Sequence, residues 1–115
     1  MIPAAVRIFL CTEAIDMRQG FDRLAQLVKS KLGEDPQAGS LFVFANRNAT
    51  RLKALWFDSN GYCMLYKRLH RAVFELPPPG GGGAVQLNAA QLATLLRGSP
   101  RVARRERSSA PPVAA

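Results

Sequence analysis

RLKALWFDSNGYCMLYKRL, residues 51–69, decides the fold. Two runs rich in apolar and aromatic side chains flank DSNG (58–61), so the stretch reads as a β-hairpin with strands over 51–57 and 62–69. The glycine of the turn is expected where positive φ is wanted. With the turn centred near Ser59-Asn60, residues 51–53 lie opposite roughly 66–69. That register gathers Arg51, Lys53, Lys67 and Arg68 at the open end, where Arg47 from the preceding loop and Arg71 just after can join them. Like charges directly opposite each other destabilise a strand pair. Something negative at that end would relieve the repulsion.

Working outward, LFVFA (41–45) is a short apolar strand that enters the hairpin through the polar loop NRNAT (46–50). VRIFLC (6–11) is a first strand, rich in β-branched and aromatic side chains. Between these two strands Phe21, Leu24, Ala25, Val28 and Leu32 recur at helical spacing, with Asp16 and Gln19 as a capping-box-like start and Gly33 as the stop. Gly20 would cost about 1 kcal/mol inside a first turn. Either the helix starts near Phe21, or something packs closely on that backbone.

On the other side VFEL (73–76) is a candidate short strand, and PPPGGGG (77–83) is a connecting loop. QLNAAQLATLLRG (86–98) reads as a helix capped by Asn88 with Gln91 at the capping-box position. Leu87 is placed to staple onto Leu92, the buried face is Leu92, Leu95 and Leu96, and Gly98 is the stop. The order β-α-β-β-β-(β)-α predicts an α+β fold, a small, mostly antiparallel sheet with two helices packed on one face. Residues 1–98 form one domain in this reading, and 99–115 a disordered basic tail.

The net charge of +8 is unevenly spread. Residues 1–39 are neutral, whereas Arg47, Arg51, Lys53, Lys67, Arg68 and Arg71 outweigh Asp58 and Glu75, and five arginines after residue 75 face only Glu106. That asymmetry points to a polyanionic partner, most simply nucleic acid. No apolar run approaches the roughly 20 residues of a membrane span, and the amino terminus alternates like a strand rather than a leader, so a cytoplasmic location is expected. Cys11 and Cys63 lie in apolar strand-like runs, which predicts buried free thiols, and His70 stands apart from any ligand cluster, so no metal is expected.

The carboxylates suggest structural work rather than catalysis. Asp16 serves as a helix cap, Asp58 as a turn residue, Asp22 lies on a polar helix face, and Asp35 precedes a proline. A metal-dependent nuclease needs two or three converging acids, and the glycine run lacks the lysine of a phosphate loop. Neither an enzyme nor a cofactor is expected. Two readings of the basic cluster stand: phosphate contact, or charges that are solvated, guard a strand edge, or pair with Asp16, Asp22 or Glu75. Trp56 and Phe57 are expected in the core, while Tyr62 and Tyr66 could pack there or stack on bases. Arg18, beside Asp16, could reach a ligand or close a surface ion pair.

Taken in order, DMRQGFDRLAQLV (16–28), LFVFANRNATRLKALWFDSNGYCMLYKRL (41–69) and VQLNAAQLATLLRG (85–98) resemble the small accessory protein, TnpB or Orf2-like, of insertion-sequence-66-type mobile elements. The resemblance covers about residues 2–98 and rests on Asp16-Met17-Arg18, Gly20-Phe21-Asp22, Leu41-Phe42-Val43-Phe44, Arg51-Leu52-Lys53 and Tyr66-Lys67-Arg68-Leu69. This chain departs from the family pattern at Ala72-Val73-Phe74, at Leu76, and after Gly98. The resemblance implies a bacterial protein that assists transposition beside a separate transposase carrying the catalytic carboxylates. Together with the charge pattern it predicts a non-catalytic factor that contacts DNA phosphates through Arg47, Arg51, Lys53, Lys67, Arg68, Arg71 and Arg18. The alternative is an adaptor that docks on the transposase without touching DNA.

Overall fold

The hairpin is the outer edge of a five-stranded sheet. A computed structural model describes residues 6–77 and 83–100. Its strands are β1 (Ile8–Cys11), β2 (Leu41–Ala45), β3 (Arg51–Asp58), β4 (Gly61–Arg68), β5 (Ala72–Val73), β6 (Ala84–Leu87) and β7 (Ser99–Pro100). Its helices are α1 (Phe21–Leu27), which runs on into a π-helical turn at Val28–Leu32, and α2 (Ala89–Arg97). The large sheet has the order β4-β3-β2-β1-β6, and β5 and β7 form a separate two-stranded pair. Only β1 and β2 are parallel, as expected for strands joined through a helix. The other pairs are antiparallel, so the α+β class and the mostly antiparallel sheet hold.

The helices do not share a face. Strand residues alternate between faces, and here both faces are apolar. Phe9, Cys11, Phe42, Phe44 and Leu55 pack with Leu24, Ala25 and Val28 of the first helical segment. Ile8, Leu10, Leu41, Val43, Leu52 and Ala54 pack with Phe74 and with Leu95 of α2. The two helices therefore cover opposite faces, because β1 and β2 are buried on both sides: every residue of each is buried. Such continuous apolar runs mark strands with two covered faces.

Helix ends follow their local chemistry. Helix α2 carries the full capping box, with Asn88 Oδ1 accepting from the Gln91 N–H at 2.7 Å and the Gln91 side chain accepting from the Asn88 N–H at 2.8 Å. Helix α1 starts at Phe21 with Gly20 as an N-cap that offers no side chain, and nothing lies within 4 Å of where a Gly20 Cβ would be. Of the two explanations for Gly20, the later start is the right one, and Asp16 is not the cap. At the other end Gly33, at φ 67°, donates to Val28 O and closes the π turn.

Three further boundaries differ from the sequence reading. Ala84–Leu87 forms strand β6 against β1, where only a loop and the helix approach were expected. The strand expected over 73–76 is instead Ala72–Val73, paired with Ser99–Pro100, so ordered chain continues past Gly98. That pairing depends on a tight approach: a Cβ on Gly98 (φ 75°) would lie 2.7 Å from Leu69 Cδ1 and 3.1 Å from Val73 O. In the hairpin turn the positive φ falls on Ser59 (59°) rather than on glycine, while Gly61 pairs with Asp58 as strand. A positive φ at the first central residue alone has the sign pattern of a type II′ turn. The arginine-rich segment 101–115 and residues 78–82 of the proline-glycine run lie outside the described residues.

Candidate nucleic-acid interface

The register at the open end of the hairpin sorts its basic residues by face. Arg51 stands directly opposite Arg68, Leu52 opposite Lys67, and Lys53 opposite Tyr66. Cross-strand partners share a face, so Arg51, Lys53, Tyr66 and Arg68 lie on the α1 side, with Leu55 and Met64. Lys67 lies on the α2 side, with Leu52. The four residues adjacent in pairing thus form a group of three and an outlier.

Two of the four are engaged within the protein. Lys53 is only 7% exposed, and its ammonium donates to the Gln19 carbonyl at 2.7 Å and sits 5.0 Å from the Tyr66 ring centre. Lys67 Nζ donates to the Leu96 carbonyl at 2.8 Å, near the C-terminus of α2, where a cation also meets the favourable end of the helix dipole. Both lysines therefore fasten a helical segment to the sheet. The arginines are different. Ion pairs among the described residues join Arg7 to Glu34, Arg18 to Asp16 and Lys31 to Glu13, and none involves Arg47, Arg51, Arg68 or Arg71. Among the described residues no acid pairs with Arg51 or Arg68, although the two stand directly opposite each other on neighbouring strands, an arrangement that like charges disfavour.

Three segments wall one depression of about 480 Å³ on this face: Ile15–Arg18, Asn46–Asn48, and the strand residues Arg51 and Tyr66. A second, of about 300 Å³, is bordered by Arg51, Tyr66 and Arg68, so the two meet along Arg51 and Tyr66. Arg71 is exposed beyond β4 and lines neither.

Both loop walls are built by side-chain–backbone hydrogen bonds. Asn46 Oδ1 accepts from the backbone N–H groups of Thr50 and Arg51, each at 3.0 Å, and its Nδ2 donates to Thr50 Oγ1 at 3.2 Å. The Asn46 N–H donates to Arg51 O, and Ala49, at φ 57°, is buried and donates back to Asn46 O. The loop is thereby folded around Asn46, with Arg47 and Asn48 exposed. In the opposite wall Asp16 accepts from the Arg18 N–H at 2.9 Å and from its guanidinium at 2.6–3.2 Å. The Arg18 side chain, hydrogen-bonded to the Asp16 carboxylate, holds that carboxyl at a pKa of about 2. Arg18 is 91% exposed all the same, so its remaining donors face solvent.

Sequence reasoning singled out Arg18, Arg47, Arg51 and Arg68, and these four line two adjoining depressions, Arg18, Arg47 and Arg51 the larger and Arg51 and Arg68 the smaller. It left Tyr66 open between core and ligand, and Tyr66 is 51% exposed and lines both depressions. It missed Asn46, whose signal was present: an Asx residue opening a tight polar loop between two strands. Trp56 packs against the α2-side core, while Phe57 is half-buried and meets Tyr62 edge-to-face at 5.1 Å. Cys11 is buried and Cys63 half-buried, both as free thiols. Among the described residues no three His, Cys, Asp or Glu side chains converge as a metal site would require, and no helix is long and apolar enough to cross a membrane.

Three of the five blocks that carry the family resemblance, Asp16-Met17-Arg18, Arg51-Leu52-Lys53 and Tyr66-Lys67-Arg68-Leu69, contribute residues to these depressions. Comparison with known proteins agrees with that resemblance. The chain is 42% identical over 100 residues to the uncharacterized protein y4hO of Sinorhizobium fredii, covering 85% of this chain and 86% of that one. It is 32% identical over 93 residues to y4jC of the same organism, covering 81% and 79%. No solved structure matches the chain significantly. The model of the IS66 Orf2-like proteins matches residues 6–106, and the chain belongs to that family, the small accessory proteins of insertion-sequence transposition.

Proposed function

We propose that the protein is a non-catalytic accessory factor of insertion-sequence transposition that binds DNA through its backbone phosphates, with Arg47, Arg51 and Arg68 as the principal contacts and Arg18 at the rim. One observation carries this reading: three arginines without an ion pair among the described residues line two adjoining depressions that share Arg51 and Tyr66. Guanidinium groups offer several donors in a fixed fork and suit phosphate oxygens. Such contacts position DNA without reading its sequence, which fits an assistant to a separate transposase. Lys53 and Lys67 hold the frame in this reading rather than the ligand, and Arg71 contributes only to the surrounding field.

The adaptor reading has one observation of its own. β4 is an edge strand of eight residues, and Leu65 on it is 45% exposed. An exposed strand edge with an apolar side chain suits strand addition by a protein partner. Titrating labelled DNA with the full chain at several salt concentrations separates the two. Phosphate contact requires steep salt dependence, and each lost arginine contact should reduce the slope of log K against log salt by about 0.7 to 0.9. Arg51→Ala with Arg68→Ala leaving affinity and slope unchanged would remove the groove from DNA binding. The edge of β4, tested by Leu65→Lys against the transposase, would then be the surface to pursue.

A further inference from the structure

Resting on the phosphate-binding reading, we infer that the groove takes an unpaired DNA strand, with a base stacked on Tyr66 and the neighbouring phosphates on Arg51 and Arg68. A groove for duplex backbone needs cations and polar donors alone, because in a duplex the base faces are covered by their neighbours. This groove instead has a half-exposed aromatic ring at the place where its two depressions meet. The ring is held from below the surface. The buried Lys53 ammonium lies 5.0 Å from its centre and is itself fixed on Gln19 O, while Tyr66 as a whole stays 51% exposed. A fixed ring loses little freedom on stacking, and base–aromatic stacking tolerates any sequence.

The spacing suits a strand rather than a single nucleotide. Tyr66 and Arg68 are two residues apart on one strand, about 7 Å at the usual rise. Arg51 faces Arg68 across the pair, so two arginines stand two positions along the strands from the Lys53–Tyr66 pair, and Arg47 and Arg18 line the larger depression. Aromatic stacking floors between tracks of arginine are the usual construction of single-strand binders. The inference also accounts for two features of the folded protein: Arg51 directly opposite Arg68 with no acid paired to either among the described residues, and the exposed Tyr66.

The test uses the full chain, a labelled oligothymidine and a duplex of equal length, compared at one salt concentration. Tyr66→Leu should weaken oligothymidine binding by about five- to a hundred-fold, leave duplex binding within about two-fold, and be rescued by Tyr66→Phe, which keeps the ring. Equal losses on both DNAs, no loss on either, or failure of the phenylalanine variant to rescue overturns the inference while leaving the phosphate reading intact. Absence of any DNA binding by the unsubstituted chain overturns both. A second measurement needs no variant: bromodeoxyuridine in the oligonucleotide, irradiated on the unsubstituted protein, should crosslink to Tyr66. Crosslinks confined to other segments reject the stacked geometry even if Tyr66→Leu fails to fold.

Discussion

The two faces of the sheet treat the same kind of residue in opposite ways. On the α2 side Lys67 reaches the last turn of the helix and donates to Leu96 O. On the α1 side Lys53 likewise turns inward to Gln19 O, yet Arg51 and Arg68 beside it make no ion pair among the described residues. Charge density along the hairpin therefore overstates the surface available to a ligand. A lysine has a compact head on a flexible stem, and its ammonium can reach a nearby carbonyl. An arginine presents a wide planar fork that a single carbonyl does not fill. In the hairpin the two lysines tie helical segments to the sheet, and Arg51 and Arg68 make no ion pair among the described residues.

The sharpest way to break that contrast is Lys53→Met, which keeps the aliphatic stem and deletes the buried ammonium. Gln19 O loses its donor, and the segment that follows the Ile15–Arg18 wall loses this tie to β3. A hydrogen bond from a charged donor is worth about 1.5 to 3 kcal/mol, so urea unfolding should show a loss of about 2 kcal/mol. An unchanged or raised midpoint would mean that desolvating the ammonium cancels the bond, and Lys53 would rejoin the arginines as a residue kept for a ligand.

Lys67→Met is the matching change on the other face and should cost less. Its bond is to a helix C-terminus, where a cation contributes about 0.3 to 1 kcal/mol. Stability should fall by that amount, with DNA affinity nearly constant. An affinity loss as large as that of Arg51→Ala, at equal stability, would return Lys67 to the interface.

Much of this arrangement could be read from the chain, and the parts that could not have a common cause. The hairpin register was legible because turn chemistry is local: DSNG between two apolar runs places Asp58 opposite Gly61 and so Arg51 opposite Arg68. The Asn88–Gln91 capping box was legible for the same reason. Asp16 and Gln19 imitate a capping box over the same spacing, but Arg18 captures the carboxylate and the helix waits until Phe21. β6 is four residues long and merges into the helix approach, so only its pairing with β1 reveals it. The assignment of the helices to opposite faces depends on the two-sided burial of β1 and β2. Phe9 and Leu10, or Phe42 and Val43, are apolar alike, and their run shows no alternation from which a face could be chosen. Which cations were free could not be read at all, since Gln19 O and Leu96 O are 34 and 29 residues from the lysines they receive.

Arg51→Glu tests the arginines themselves, with a smaller effect of opposite sign on stability. It replaces a like-charge pair directly across two strands by an opposite-charge pair, and such pairs differ by about 0.2 to 1 kcal/mol. The variant should be slightly more stable than the natural chain and much poorer at binding DNA. That combination separates a residue retained for a ligand from one retained for folding. A less stable variant would mean that Arg51 contributes to the fold through the packing of its aliphatic stem.

The smallest change concerns the wall opposite Arg47. Asp16 has its carboxyl drawn down to about 2 by the Arg18 guanidinium and backbone N–H, from an ordinary value of 3.8. A depressed carboxyl pKa contributes stability that is present above the unfolded value and is lost as pH falls through the folded one. The Asp16–Arg18 pair should therefore stay ionised through mild acid and open only near pH 2. Following the Asp16 carboxyl carbon by NMR should give a midpoint near that value, rising toward the ordinary one in Arg18→Ala. Because the pair is exposed, global stability should hardly respond. What changes is the reach of the wall: with Asp16 neutral, Arg18 is released from its own loop and adds a free guanidinium to the groove. DNA binding by the Asp16→Asn variant, in which the same release occurs at neutral pH, should tighten modestly and gain salt dependence. If it weakens instead, the carboxylate is holding Arg18 in the position from which it meets the phosphate, and the wall is a preset part of the site rather than a restraint upon it.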